Sequence, residues 1–317
     1  MRVGVVIDAS CDLPRTYIEE NGLEMLPGLL QFDDKQLIDN RDPRDTLSYY
    51  RRFIADKSIE AGTRAWAVES IRDLFLEDLI LRYDRVLVLC VSASRGSVYS
   101  NATEASYAIL QGYRQRREAA GLTEPFALRV VDTNSVGPGE GVIVHEAVKM
   151  IADEAPPFEK LRRSVKDLTR RSVTYLVPND LFYLRHRAST KGEKSMGATA
   201  YHFGRFFDVK PIIEMRHGES QVVAGVRRFE RAVADVLERA RESIRYGLCR
   251  PVVVMSFGGD PRIIRELPAY QDFEGFAATH RVQLHLSVMS ATLAVNVGPG
   301  AFSLAYVEAG DEAPGES

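Results

Sequence analysis

The chain has 317 residues, of which 45% are hydrophobic and 27% charged, and 41 basic against 44 acidic residues leave a formal net charge of −3. That length suits two domains better than one core. The charge balance argues against nucleic acid or an anionic membrane as partner, and there is no apolar run of about 18 residues to insert stably in a bilayer.

The opening MRVGVVIDAS reads as a strand, not as a signal peptide. Cys11, Cys90 and Cys249 are isolated, with no CxxC pair and no Cys/His metal spacing. A reducing, cytoplasmic setting without a metal is therefore expected, with each cysteine a small core or loop residue. Residues 2–7 form a β-branched run ending at Asp8, the pattern of a buried parallel strand. DASCDLP follows as a loop and leads into a helix at about 14–22. Helical spacing recurs over 45–55 and, more strongly, over 67–82. Val86 to Val91 is the clearest core strand. It runs into the loop Ser92-Ala93-Ser94-Arg95-Gly96-Ser97 and a helix at about 98–117. Leu128 to Val131 is a further strand, closed by Asp132-Thr133-Asn134-Ser135, and GPGEG then opens a helix at about 141–153.

This alternation predicts an α/β fold with a parallel, three-layer α/β/α N-terminal sheet. Ligands bind such sheets beyond the carboxyl ends of the strands, where Asp8 to Asp12, Ser92 to Ser97 and Asp132 to Gly141 all lie. Ala155-Pro156-Pro157 breaks the pattern. The domains are accordingly expected at 1–157 and 158–310, with a disordered tail at 311–317. The second half should be mixed α/β. Its strands fall near 173–177, 209–215, 221–226, 251–257, 284–289 and 301–307, and its helices near 158–171, 178–185, 195–206, 228–246 and 261–266. Arg216-His217-Gly218-Glu219-Ser220 reads as a hairpin turn.

Several constellations bear on chemistry. Hydroxyls and free N–H groups in the Ser92–Ser97 loop suit a carboxylate or phosphate, and equally an ordinary turn with a serine N-cap. GPGEG lacks GxGxxG spacing and a following Lys-Ser/Thr pair, so it reads as a tight turn with close helix packing. No GxSxG elbow is present and no histidine is placed as a base. Asp8, Asp12 and Asp132 at strand ends suit loop-holding better than a metal. The basic run Lys160 to Arg171 is expected to be a solvated face. Arg227 and Arg228 either face an anion or lie on the surface.

Taken in order, the segments resemble the DegV family of bacterial fatty-acid-binding proteins, from about Val3 to Val307. DASCDLP resembles the family's DSTxDLP opening, AGTRAW its TSQP-type segment, and SASRGSVYSNA its SSxLSGTYQSA. RVVDTNSVGPGEGVIVHEA resembles the strand, VDS-type turn and glycine-led helix that follow. NDLFYLRHRAS, FFDVKPIIEMRHGE and VGPGAFSLAYV resemble the DLxYLxxGGRIS, LLxIKPILxxxxGx and HxGPGxxG segments.

The resemblance implies a tunnel between two domains holding one long-chain fatty acid. It implies no catalysis and no cofactor, a monomer, and in some members presentation of the carboxylate to a separate fatty acid kinase subunit. Thr63 matches the family threonine at the carboxylate. Gly96 stands where the family has its head-group serine and Ser97 where it has glycine, so Ser97 or Ser94 would supply the hydroxyl. Arg64 and Arg95 add charge beside them, and Trp66 adds bulk. Ser10, Arg187, Arg227 and Asn296 fall at the head-group periphery, Asn296 in place of a family histidine. A shortened tunnel for another anionic small molecule is the alternative, motivated by Trp66. An enzyme using Asp8 or Asp132 is a third reading.

Overall fold

The computed structural model describes residues 2–184, 186 and 209–310. Among them, thirteen strands form three sheets. β1 (Val3–Asp8) and β2 (Glu24–Leu26) precede a small meander of β3 (Gly28–Phe32), β4 (Lys35–Asp39) and β5 (Ala61–Arg64), and β6 (Arg85–Cys90) and β7 (Ala127–Asp132) follow. The order β2-β1-β6-β7 is parallel throughout. Such a sheet is covered on both faces, which is why β6 is almost continuously apolar. Val6, Val86, Val88 and Cys90 pack against the helices Val68–Leu74 and Val98–Ala108. Val5, Ile7, Leu87, Leu89 and Val131 face the helices Pro138–Asp153 and Phe158–Arg171.

The second sheet holds β8 (Ser172–Val177), β9 (Val209–Arg216), β10 (Glu219–Arg227), β11 (Val252–Phe257), β12 (Gln283–Val288) and β13 (Phe302–Val307). Its order is β10-β9-β8-β13-β11-β12, antiparallel except for the parallel pair β11–β12. One face packs on the helices Phe229–Tyr246 and Pro268–Thr279. The other sends Val252, Val254, Ala305 and Val307 into the core of the first sheet. The helix Pro138–Asp153 thus lies between the two sheets, and Pro138 through Ala147 are all buried. A helix covered on every side cannot carry a polar stripe, so each polar residue on it needs a partner.

The three-stranded antiparallel sheet β4-β3-β5 is absent from the sequence reading. Its strands are short and become stable only against the helix Ala291–Val297 and the turn Tyr50–Ile54, which complete their core. Pro268–Thr279 and Ala291–Val297 were likewise unexpected helices. The long helix expected at 98–117 is interrupted after Ala108 by a 3₁₀ turn, Ile109–Gln111, and Gly112 before it resumes at Tyr113–Ala119; glycine is a poor helix former in a helix interior. The helix expected from 141 starts at Pro138, where proline's missing N–H costs nothing. The predicted hairpin is present. His217 and Gly218 both have positive φ (55° and 79°), the two-residue turn whose twist matches its strands. The helix expected at 195–206 and the tail 311–317 lie outside the described residues, and of the described residues 178–184 the last four, 181–184, are helical. No helix among the described residues is long and apolar enough to cross a membrane.

Asp12, fully buried, joins the two halves. Its carboxylate accepts hydrogen bonds from Ser256 Oγ (2.6 Å) and the Ser290 N–H (2.8 Å) and lies 3.3 Å from the buried Arg41 guanidinium. Its carbonyl accepts from Ser287 Oγ at 2.8 Å. Arg41 also donates to the carbonyls of Leu13 and Val288. Breaking a buried pair by removing one partner strands the other charge, so Asp12→Ala should lower unfolding free energy by about 3–5 kcal/mol in urea titrations.

A second junction is aromatic. The rings of His145, Tyr17 and His285 lie with centroids 5.1–5.3 Å apart, Tyr17 stacked on His145 and edge-on to His285, between the helices Arg15–Glu20 and Pro138–Asp153 and strand β12. Burial, followed by the neighbouring His285, Lys149 and Arg250, pushes the His145 imidazole down to about 4. A histidine depressed on folding binds fewer protons folded than unfolded. Its contribution is therefore complete above about pH 6.5 and is lost as pH falls toward 4. Relative to His145→Phe, the wild type should lose about 3 kcal/mol of stability across that window. Parallel urea curves for the two proteins at pH 7 and pH 4.5 check this.

Candidate functional site

The carboxyl edge of the parallel sheet faces β8, β9 and β13 of the second sheet, and a cavity of about 560 Å³ lies between them. From the first sheet it receives Asp8 at the end of β1, Ala9 and Ser10 beyond it, Leu26 at the end of β2, and Arg95, Gly96 and Ser97 in the loop after β6, and the three-stranded sheet adds Thr63 and Arg64 on β5. From the second it receives Thr174 and Leu176 on β8, Ile213 and Met215 on β9, and Ser303 on β13. Leu176 pairs with Ile213, and Thr174 with Met215, so alternate residues of neighbouring strands build one wall. Leu293, Asn296 and Val297 of the helix Ala291–Val297 close a side.

The charged residues of the lining, Asp8, Arg64 and Arg95, all come from the N-terminal half, while the second half lines it with Leu176, Ile213, Met215, Leu293 and Val297 interspersed with the hydroxyls of Thr174, Ser220 and Ser303. Ser97 begins the helix Val98–Ala108 without using its hydroxyl as a cap, and it is exposed toward the cavity. Gly96 has open space where a Cβ would stand, so nothing there requires glycine. Arg95 donates to Ser220 Oγ at 2.7 Å and thereby ties the loop to the β9–β10 hairpin of the second half. Asn296 Nδ2 donates to the Thr292 carbonyl of its own helix at 2.8 Å. Trp66 also lines the cavity, and its backbone carbonyl accepts from Asn101 Nδ2 at 2.7 Å.

Of the residues singled out in the sequence, Ser10, Thr63, Arg64, Arg95, Gly96, Ser97 and Asn296 converge on this one cavity. Two do not. Ser94 turns its hydroxyl onto Ser92 Oγ at 2.9 Å, because the loop folds back on itself before Gly96. Arg227 is exposed at the end of β10, opposite Val209 and away from the cavity wall. Arg187 lies outside the described residues.

The strand-end aspartates hold loops. Asp8 accepts from the N–H groups of Val91 (2.7 Å) and Ser10 (2.8 Å), and Asp132 from those of Ala93 (3.1 Å) and Asn134 (2.7 Å). Among the described residues, no group of three or more His, Cys, Asp or Glu side chains is placed to hold a metal ion. GPGEG does pack closely, since a Cβ on Gly139 would fall 1.8 Å from Ser135 Oγ. Within that motif the sequence reading missed Glu140. It is fully buried one bond behind the cavity and accepts from Ser10 Oγ at 2.6 Å. Burial, reinforced by the Asp8 carboxylate, pushes Glu140 well above the usual carboxylate range. A glutamate inside a motif that otherwise signals packing was the available clue. The apolar wall of Leu176, Ile213 and Met215 was hidden because it depends on which face of β8 and β9 is turned inward.

Comparison with known proteins bears on this architecture. Residues 2–309 match the family model described as uncharacterised protein, DegV family. A DegV domain-containing protein of Xanthomonas axonopodis pv. citri is 38% identical over 306 residues, covering 96% of this chain and 97% of the relative. A protein named fatty acid-binding protein from Thermotoga maritima is 20% identical over 304 residues, covering 95% and 96%. Among solved structures, a stearic acid-binding protein of Eubacterium ventriosum superposes with a TM-score of 0.78 at 20% identity, over 96% of this chain and 98% of that one. DegV of Bacillus subtilis, described as a fatty acid binding protein, superposes with a TM-score of 0.74 at 17% identity, over 98% and 100%. The near-complete match of the family model and the 38% identity to a full-length relative establish that the chain belongs to the DegV family.

Proposed function

We propose that this protein binds one long-chain fatty acid in the cavity between its two sheets. The observation that carries this reading is a cavity whose lining combines two arginines and several hydroxyls with a larger set of apolar side chains, among them Leu26, Leu176, Ile213, Met215, Leu293 and Val297. Burying an acyl tail contributes about 0.8 kcal/mol per methylene, and a few donors suffice to orient the head. A volume of about 560 Å³ lies within the range of small-molecule sites. Relatives named for fatty acid binding support the same assignment.

In this reading Thr63 and Ser97 donate to the carboxylate, and Arg64 and Arg95 add charge-assisted bonds. Gly96 leaves room for the head group, while Ser10 and Asn296 border it. Arg227, exposed at the end of β10, is not needed for the head-group contacts. The protein acts as a carrier and not as an enzyme. Its exposed lip, which carries Arg64, Gly96 and Ser97, would present the carboxylate to a separate kinase.

Denaturing the purified protein and extracting it for mass spectrometry should release a fatty acid in roughly equimolar amount. An empty protein that also fails to take up added fatty acid refutes the assignment. Thr63→Val should weaken fatty acid binding by about 1–3 kcal/mol in fluorescence titration, the cost of an unmet buried acceptor. Gly96→Ser, which enters open space, should leave stability unchanged and strengthen binding by about 1 kcal/mol by adding one donor.

A further inference from the structure

We propose that Glu140, acting through the Ser10 hydroxyl, gates the cavity, admitting an anionic carboxylate only while Glu140 carries a proton. The inference rests on the fatty acid reading and deepens it.

The geometry is a two-residue chain from the cavity to a buried acid. Ser10 lines the cavity and is 4% exposed, and its Oγ lies 2.6 Å from Oε2 of Glu140, which is 0% exposed. A hydroxyl has one proton to give. If Glu140 is ionised, Ser10 spends that proton on it and shows the cavity only lone pairs. A ligand carboxylate also offers only lone pairs, so the two repel, and the buried negative charge adds to the repulsion. If Glu140 is protonated, it donates to Ser10 Oγ, and the serine proton is free to turn toward the ligand.

The surroundings decide which acid holds the proton. The Asp8 carboxylate takes two short bonds from the N–H groups of Val91 and Ser10, a setting that favours the anion. Glu140 has no such pair. Its Oε1 receives a long 3.5 Å contact from the Asp8 N–H, which leaves Oε2, the oxygen facing Ser10, to bear the proton. The titratable groups near Glu140 add no compensating cation. Asp8 on β1, and Cys11 and Asp12 in the loop behind it, are carboxyls and a thiol, as is Cys90 at the end of β6. Burial pushes both thiols well up, which keeps them neutral. β8 and β11 bring the hydroxyls of Thr174 and Ser256, the latter committed to Asp12. The nearby guanidinium, Arg41, is paired with Asp12. On the helix itself, His145 and Glu146 lie more than a turn further on, at the Tyr17 and Arg250 contacts. Burial raises both carboxyls, Glu140 well above its ordinary range, while the Val91 and Ser10 hydrogen bonds pull Asp8 back down, so the hydrogen bonds single out Glu140 as the neutral member.

The test is affinity against pH. Delipidated full-length protein is titrated between pH 6 and 10 with a fluorescent long-chain fatty acid and, separately, with its methyl ester. The expected result is acid binding that weakens tenfold or more toward high pH while ester binding stays level. In Glu140→Gln the amide N–H donates to Ser10 at every pH, so acid binding should be level too. Should that variant not fold, Ser10→Ala must show a shallower pH dependence than the wild type. A level wild-type acid profile, or an undiminished slope in the variant that folds, overturns the proposal. Failure of the wild type to bind the acid at any pH overturns the fatty acid reading instead.

Discussion

The carboxylate of Asp12 sits where the two halves of the chain meet, and the remaining structure is arranged around its burial. A charge removed from water is tolerable only when every lone pair is met. Arg41, Ser256 and the Ser290 N–H supply those partners from three separate segments. Because Asp12 follows β1 directly, and Ser256 and Ser290 follow or belong to strands of the other sheet, satisfying this one group sets the distance between the sheets. That distance is filled by the helix Pro138–Asp153 on one side of Asp12 and left open as the cavity on the other.

The cavity's chemical asymmetry follows from this arrangement. Parallel strands end in loops at one edge, and those loops are where N–H groups and short polar side chains are free to face a ligand. The second sheet meets that edge with the faces of β8 and β9, not with their ends. Strand faces carry side chains in alternation, so what it contributes is uncharged: Leu176, Ile213 and Met215 with the hydroxyls of Thr174 and Ser303. A site whose charged groups all come from one half is a consequence of bringing a sheet edge against a sheet face.

Departures from the family pattern fall on the N-terminal side of the cavity. Gly96 and Ser97 exchange the usual order, and Arg95 reaches across to Ser220. The scaffold beneath tolerates this because neither Gly96 nor Ser97 supports it: no Cβ contact forms at Gly96, and Ser97 does not cap its helix. The residues that do support it, Asp8, Asp12, Asp132 and Gly139, are locked by short bonds or by lack of space.

Legible in the chain alone were the parallel β–α alternation, the mixed second half, the β9–β10 hairpin, the loop roles of the strand-end aspartates and, through ordered motifs, the family. Each of these depends on local periodicity, turn chemistry or segment order, which the chain writes in one dimension. The meander β3–β5 and the helices Pro268–Thr279 and Ala291–Val297 were not legible, because short segments draw their stability from distant partners such as those in the shared core of Leu30, Tyr50 and Leu293. Nor could spacing show that Ser94 turns away while Ser97 does not, since one residue's step in a loop reverses a side chain. Glu140 was the deepest of these omissions. Its neighbours in sequence signal a tight turn, and only the approach of Ser10, 130 residues away, shows it to be a buried acid behind the ligand cavity.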